Sequence, residues 1–358
     1  MSKNILIVDD SALVRKQLKE IISTLDFNID FAKNGHEAVE KATSFQYDII
    51  TMDINMPIMD GLEATRQIMQ KQATPILMVS SLTKEDAPTT MEALELGAID
   101  YIAKPGTMNV GKNENREEIL EKVQLLSKIS IRRLKRNLLR PATRERRRLV
   151  TRKESELRKE APVSSTKEIE KIVLIGSSTG GPGLIEQICT HVPSSYKYPI
   201  CIVQHMPEHF SKAFAERLDR ASPLPVYETQ NGMEVVPGNI YVARGGVHLT
   251  FRKKVSGKIV IYEDKNKGSS FFQPSVNAMM HSSLKIFDAK KIVGVILTGI
   301  GDDGADAMVE LKKAGAYTIG ESENSATIYG MPKEAYERGG VLEQLDFLAI
   351  LKKIVTLR

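Results

Sequence analysis

Short, wholly apolar runs recur along this chain, and each stops abruptly at polar or glycine residues. "NILIVDD" (4–10), "YDIITMD" (47–53), "PILMVSS" (75–81), "KIVLIGSS" (171–178), "PICIVQH" (199–205) and "IVGVILTG" (292–299) are of this kind. Between them lie segments with helical spacing, such as "SALVRKQLKEIISTL", where Leu13, Val14, Leu18, Ile21 and Ile22 share a face. A strand that is apolar at every position is buried on both faces. Interleaved with helices, such strands predict parallel sheets covered on both sides. In that architecture the polar residues at the strands' carboxyl ends converge in one crevice.

The 358 residues exceed one typical core, so two domains are expected. The predicted boundaries are 1–122 and 169–358, joined by a basic, partly helical or disordered linker over 123–168. Between Lys128 and Glu160 stand fourteen Lys/Arg and four Glu; taking that excess of ten from the chain's +5 leaves −5. A helix is predicted from Glu117 to Arg140, acidic at its start and basic at its end as the helix dipole favours. No apolar run reaches the roughly 20 residues that span a bilayer, and "MSKNILIVDD" does not read as a signal peptide. Cys189 and Cys201 are too few for a disulfide framework or thiolate metal site. A cytoplasmic protein without membrane insertion is expected.

In the first domain Asp9, Asp10, Asp53, Ser80 and Lys104 all close apolar runs and so converge. Crowded carboxylates repel unless a cation joins them, and oxygen ligands of this sort suit hydrated magnesium. A lone strand-end Asp is more often a helix cap, but five such positions together point to a site. "VDDS", "DINMPIMDG", "MVSS" and "AKP" resemble the response-regulator receiver domain over about residues 1–122. The resemblance implies a (βα)5 fold in which Asp53 accepts a phosphoryl group from a histidine kinase. It also implies Mg2+ held by Asp9, Asp10, Asp53 and the backbone carbonyl of Asn55, with Ser80 and Lys104 on the phosphoryl oxygens. A cis Lys104–Pro105 bond is a further expectation from relatives, against the usual trans preference.

In the second domain Gly176-Ser177-Ser178-Thr179-Gly180 satisfies G-x-S-x-G, the pattern of a nucleophile elbow. A glycine-rich dinucleotide loop looks similar, but the next strand ends in Gln204-His205 and lacks the acid that a ribose needs. "IVGVILTG" runs on into Asp302 and Asp303. A serine, a histidine and an aspartate at three strand ends make a candidate triad. His191 and His209 read as surface residues. The chain order Ser, His, Asp differs from the Ser, Asp, His of α/β-hydrolases.

That order resembles the chemotaxis protein-glutamate methylesterase family, the CheB type. The matching segments are "IGSSTGG", "VQHMP", "YVARGGVHL", "QPSVNAMMHS", "GVILTGIGDDGADAM" and "YGMPKEA", spread over residues 169–358. The fold expected is doubly wound, mostly parallel α/β. The resemblance implies Ser178 as nucleophile, His205 as base and Asp303 as orienting acid, with Asp302 as the alternative acid. It implies backbone N–H groups of Thr179 and Ile300 as oxyanion donors, and no cofactor for the ester chemistry. Arg244-Gly245 stands where relatives usually carry Pro-Gly, and Gln273 and Asn277 where they commonly carry a basic residue and Asp. These departures leave the substrate contacts open.

The implied function is a phosphorylation-activated serine hydrolase acting on chemoreceptors. It removes γ-methyl groups from glutamates as methanol and deamidates glutamines. In relatives the unphosphorylated receiver covers the catalytic site. A rival reading, a nucleic-acid-binding regulator using the basic linker, lacks a recognition helix or interleaved aromatics. A decayed, adaptor-like esterase is opposed by the intact triad residues.

Overall fold

The structure is a computed structural model that describes residues 2–81, 83–106, 112–129, 168–268 and 270–357. It divides into two compact units, Met1–Pro141 and Ala142–Arg358.

The first unit alternates β1 (Lys3–Val8), α1 (Ala12–Ile22), β2 (Phe27–Ala32), α2 (Gly35–Ser44), β3 (Ile49–Asp53), α3 (Gly61–Lys71), β4 (Ile76–Ser80), α4 (Asp86–Leu96), β5 (Asp100–Ala103) and α5 (Lys112–Leu126). Its sheet is wholly parallel, in the order β2-β1-β3-β4-β5. Every residue of β3, β4 and β5 is buried, as two-sided coverage by helices requires. The order reverses between β1 and β3, so Asp9 and Asp53 meet at the crevice there. Close packing supports that edge: a Cβ on Gly61 would strike the Asp53 carbonyl oxygen.

Two expectations need correction. The Lys104–Pro105 bond is trans, following the ordinary preference; the cis bond among the described residues is Gln273–Pro274. The helix predicted from Glu117 to Arg140 begins earlier and stops at Leu126, where Lys3 Nζ takes the Ser127 carbonyl and side chain at 2.8 and 3.1 Å. The rest of that helix, and the linker to 167, lie outside the described residues.

The second unit carries β6 (Ile172–Ser177), α6 (Gly181–His191), β7 (Ile200–Gln204), α7 (Glu208–Ala221), β8 (Val226–Glu228) and β9 (Ile240–Val242). A hairpin of β10 (His248–Lys253) and β11 (Ile259–Asp264) follows, then α8 (Val276–Leu284), β12 (Ile292–Ile296) and α9 (Ala305–Lys313). β13 (Tyr317–Glu321), α10 (Met331–Glu337), β14 (Glu343–Leu345) and α11 (Phe347–Val355) complete it.

Seven parallel strands run β14-β13-β12-β6-β7-β9-β8. The apolar runs of β6, β7 and β12 form its centre, with every residue buried. The apolar run "KIVIYE" (258–263) forms a strand outside this sheet, paired with β10 in the antiparallel hairpin. Only Val260 and Ile261 of β11 are buried, unlike the fully buried central strands of the two-faced sheet. The chain leaves β6 towards β7 and returns on the other side at β12, so the ends of these three strands flank the reversal of strand order.

Candidate active site and phosphoacceptor site

Ladder bonds carry the register past the ends of the central strands. Ser177 pairs with Gln204, and His205 N then donates to Ser177 O at 3.1 Å. On the opposite side Ser178 N donates to Thr298 O at 3.0 Å. Ser178 is thus held at the carboxyl edge between β7 and β12.

The two serines are treated differently. Ser177 Oγ donates to Gln204 Oε1 at 2.7 Å, while the Gln204 amide donates to Ser178 O at 2.9 Å. The Ser178 hydroxyl has no such tie. The turn itself needs glycine at 180, where φ is +78° and a Cβ would meet Thr327. Gly299 is equally constrained, because its Cβ would collide with Met331 Sδ and lie 2.8 Å from Ser178 Cβ.

His205 Nε2 lies 2.8 Å from Asp303 Oδ2. An ionised carboxylate only accepts, so this bond assigns a proton to Nε2. Nδ1 is buried without a hydrogen-bond partner, so Ser178 and His205 are not bonded to each other in this state. Such contacts commonly tighten only when substrate binds.

Asp303 is anchored on every side. Oδ2 also accepts from Val276 N at 2.7 Å, and Oδ1 accepts from Ser275 Oγ at 2.8 Å and Asn277 N at 3.0 Å. The carboxylate therefore sits on the N-terminus of α8, where the orphan N–H groups favour negative charge. Burial pushes the Asp303 carboxyl up, but the His205 bond and these N–H groups together hold it below its ordinary value. Asp302, weighed as the alternative acid, points elsewhere: it is exposed and pairs with Arg338 at 2.6 Å.

Several residues of this site escaped sequence reasoning. Ser275 caps α8 and binds Asp303, and its own N–H donates to the buried His248 Nδ1 at 3.1 Å. "PSVNA" does carry a Ser N-cap signal, but nothing local ties it to a residue 28 positions away. Thr298 Oγ1 donates to Thr179 O at 2.9 Å, and Thr298 N donates to the buried Glu321 at 2.9 Å. Thr179 and Ile300 are both buried at this edge, and Ile300 N–H has no partner among the described residues.

The flagged departures acquire roles. Asn277 Oδ1 accepts from Ala307 N at 3.0 Å and caps α9, whose own N-cap is Gly304. Arg244 pairs with the half-buried Glu263 at 3.0 Å, and Gln273 Nε2 donates to Lys265 O at 3.2 Å.

In the first unit the carboxylates of Asp9, Asp10 and Asp53 offer oxygens all within 4.8 Å of one another. Lys104 Nζ lies 2.9 Å from Asp53 Oδ2 and 3.4 Å from Asp9 Oδ2. Apart from this ion pairing, those two buried oxygens accept no hydrogen bond. Three carboxylates crowded around one lysine offer more negative charge than it neutralises, and such an oxygen set fits a hard divalent cation. Burial pushes the Asp53 carboxyl up to about 6; Lys104 opposes the rise and Asp9 adds to it. Ser80 is buried at the end of β4 and accepts from Thr90 Oγ1 at 3.3 Å. Asn55 is exposed, with its side-chain amide 3.3 Å from Asp86.

Comparisons with known proteins agree in both halves. The response regulator receiver domain family matches residues 5–115, and the CheB methylesterase family matches residues 173–354. A protein-glutamate methylesterase/protein-glutamine glutaminase 2 of Carboxydothermus hydrogenoformans is 45% identical across 100% of this chain and 99% of its own length. A protein of the same activities from Caldanaerobacter subterraneus subsp. tengcongensis is 41% identical, over 94% and 91%. The crystal structure of the Thermotoga maritima CheB methylesterase catalytic domain is 37% identical with a TM-score of 0.51, covering 53% of this chain and 100% of that one. The chain belongs to the protein-glutamate methylesterase/protein-glutamine glutaminase family, the CheB type, with a receiver domain preceding its methylesterase domain.

Proposed function

We propose that Ser178, His205 and Asp303 carry the hydrolysis of glutamate γ-methyl esters on chemoreceptors. The observation that carries this reading is the Nε2–Asp303 bond, which occupies one ring nitrogen and leaves Nδ1 without a hydrogen bond at the strand edge shared with Ser178. Ser178 Oγ attacks the γ-carbonyl and its proton passes to Nδ1. The imidazolium returns that proton to the departing methoxide, methanol leaves, and an acyl-serine remains. Water then loses a proton to Nδ1 and attacks the acyl carbon, releasing glutamate and restoring the serine. Asp303 orients the ring and stabilises the imidazolium. The N–H groups of Thr179 and Ile300 serve as oxyanion donors. A glutamine follows the same path with ammonia leaving.

Control lies in the receiver domain. Asp53 is the phosphoryl acceptor, a histidine kinase is the donor, and Lys104 and Ser80 contact the phosphoryl oxygens. Asp9, Asp10, Asp53 and the Asn55 carbonyl would hold Mg2+, which supplies charge neutralisation when bound. Among the described residues no helix is long and apolar enough to cross a membrane.

The deciding experiment is methanol release from methylated receptor membranes. Ser178→Ala should lose at least roughly 1,000-fold in rate, as removal of a triad member does. A folded variant at full rate would remove the serine from the mechanism.

A further inference from the structure

The imidazole of His205 is covered by an aromatic ring. Phe272 stacks on it with centroids 3.9 Å apart and planes 14° from parallel. The same ring borders the loop after β12, since a Cβ on Gly301 would lie 3.8 Å from Phe272 Cε2. Phe271 packs edge-on against Phe272 at 4.9 Å and is 72% exposed. The backbone beneath is pinned: Gly246 N donates to Gln273 O at 3.0 Å, and Ser275, Val276 and Asn277 all bind Asp303. One continuous stretch, 272–277, therefore holds both members of the His–Asp pair.

We propose that Phe272 is a positioning residue for the hydrolysis, one that fixes the plane of the His205 ring. The inference rests on the assignment of His205 as base. The bond to Asp303 occupies Nε2 and leaves Nδ1 to act on the serine, but one hydrogen bond defines an axis and leaves the ring free to tilt about it. Nδ1 has no bond of its own to stop that tilt. A ring stacked at van der Waals distance blocks it on one face and keeps water off that face. When Nδ1 takes the serine proton, the resulting cation lies over the negative face of the aromatic ring, an attraction strengthened where water is excluded. The contact therefore acts after substrate has bound and belongs to kcat.

The test uses the full-length protein with Phe272 replaced by Tyr, Leu and Ala. Methanol release gives kcat and KM, and the ring C–H proton shifts of His205, assigned with His205→Asn, report the stack directly. Phe272→Tyr should keep the upfield ring-current shift and stay within about twofold of the parent rate. Phe272→Leu and Phe272→Ala should lose the shift and lower kcat by about 10- to 100-fold, the scale of a small misplacement of a reacting group, with KM within about twofold. Leu preserves apolar cover, so it separates the aromatic effect from folding. If Leu abolishes the ring-current shift and leaves kcat unchanged, the inference is overturned. It is equally overturned if the Tyr variant keeps the shift and loses the rate. An inactive Ser178→Ala beside a fully active Phe272→Leu would end this inference alone. A fully active Ser178→Ala would instead end the triad assignment.

Discussion

Asp302 and Asp303 are neighbours in sequence with the same functional group, yet their surroundings separate them completely. Asp303 receives four hydrogen bonds in a buried pocket, whereas Asp302 pairs with Arg338 in solvent. Asp303→Asn should lower kcat by roughly 10,000-fold, since the amide presents the wrong partner to Nε2. Asp302→Asn should leave methanol release within about twofold, because an exposed ion pair contributes at most about 1 kcal/mol. Stability follows the same division. The Asp303 carboxyl is held below its ordinary 3.8, so its contribution is fully present above that value and is lost as pH falls below it, through the depressed native value. Acid titration of the melting temperature should be shallower below pH 3.8 in Asp303→Asn than in the parent. Asp53 has the opposite sign. With its carboxyl raised to about 6, ionisation costs stability at neutral pH. In chelator-treated protein, Asp53→Asn should melt higher than the parent at pH 7. That difference should shrink below pH 6 and vanish below 3.8.

At the scale of elements, α8 and α9 are locked to each other through their N-termini. The Asp303 carboxylate from the loop before α9 sits on the first N–H groups of α8, and Asn277 from α8 caps α9. Each helix thus begins on a side chain supplied by the other's neighbourhood, and Asp303, the acid of the proposed triad, is part of that lock. Gly304, at φ +96°, starts α9 without a capping side chain, which leaves the task to Asn277. Asn277→Ala should cost about 1 kcal/mol, read as a fall of roughly 2–4 °C in melting temperature. Asn277→Asp, which keeps an acceptor oxygen at the same point, should recover most of that loss.

At the scale of the whole molecule, two parallel sheets each bring a proposed reactive group to the reversal of strand order, the Asp53 carboxylate in one and the Ser178 hydroxyl in the other. The proposal that phosphorylation of Asp53 governs hydrolysis by Ser178 predicts a rate difference. A small-molecule phosphodonor with Mg2+ should raise methanol release by the parent, and Asp53→Asn should abolish the rise while retaining the basal rate. The fragment 169–358 should hydrolyse at a rate indifferent to the phosphodonor.

The apolar runs and their polar endings were legible from the sequence alone, because a strand buried on both faces must be apolar throughout and its termini are where polarity returns. This made the two parallel sheets, the strand-end acids of the receiver domain and the positions of Ser178 and His205 readable without coordinates. Order along the chain does not encode which of two adjacent carboxylates turns inward. Nor does it encode that "KIVIYE" leaves the sheet for a hairpin, or that Ser275, Asn277 and Phe272 gather on residues far away in sequence. Those outcomes depend on long-range packing, in which α8 meets the loop after β12 across nearly thirty residues, and only the folded chain brings the partners into contact.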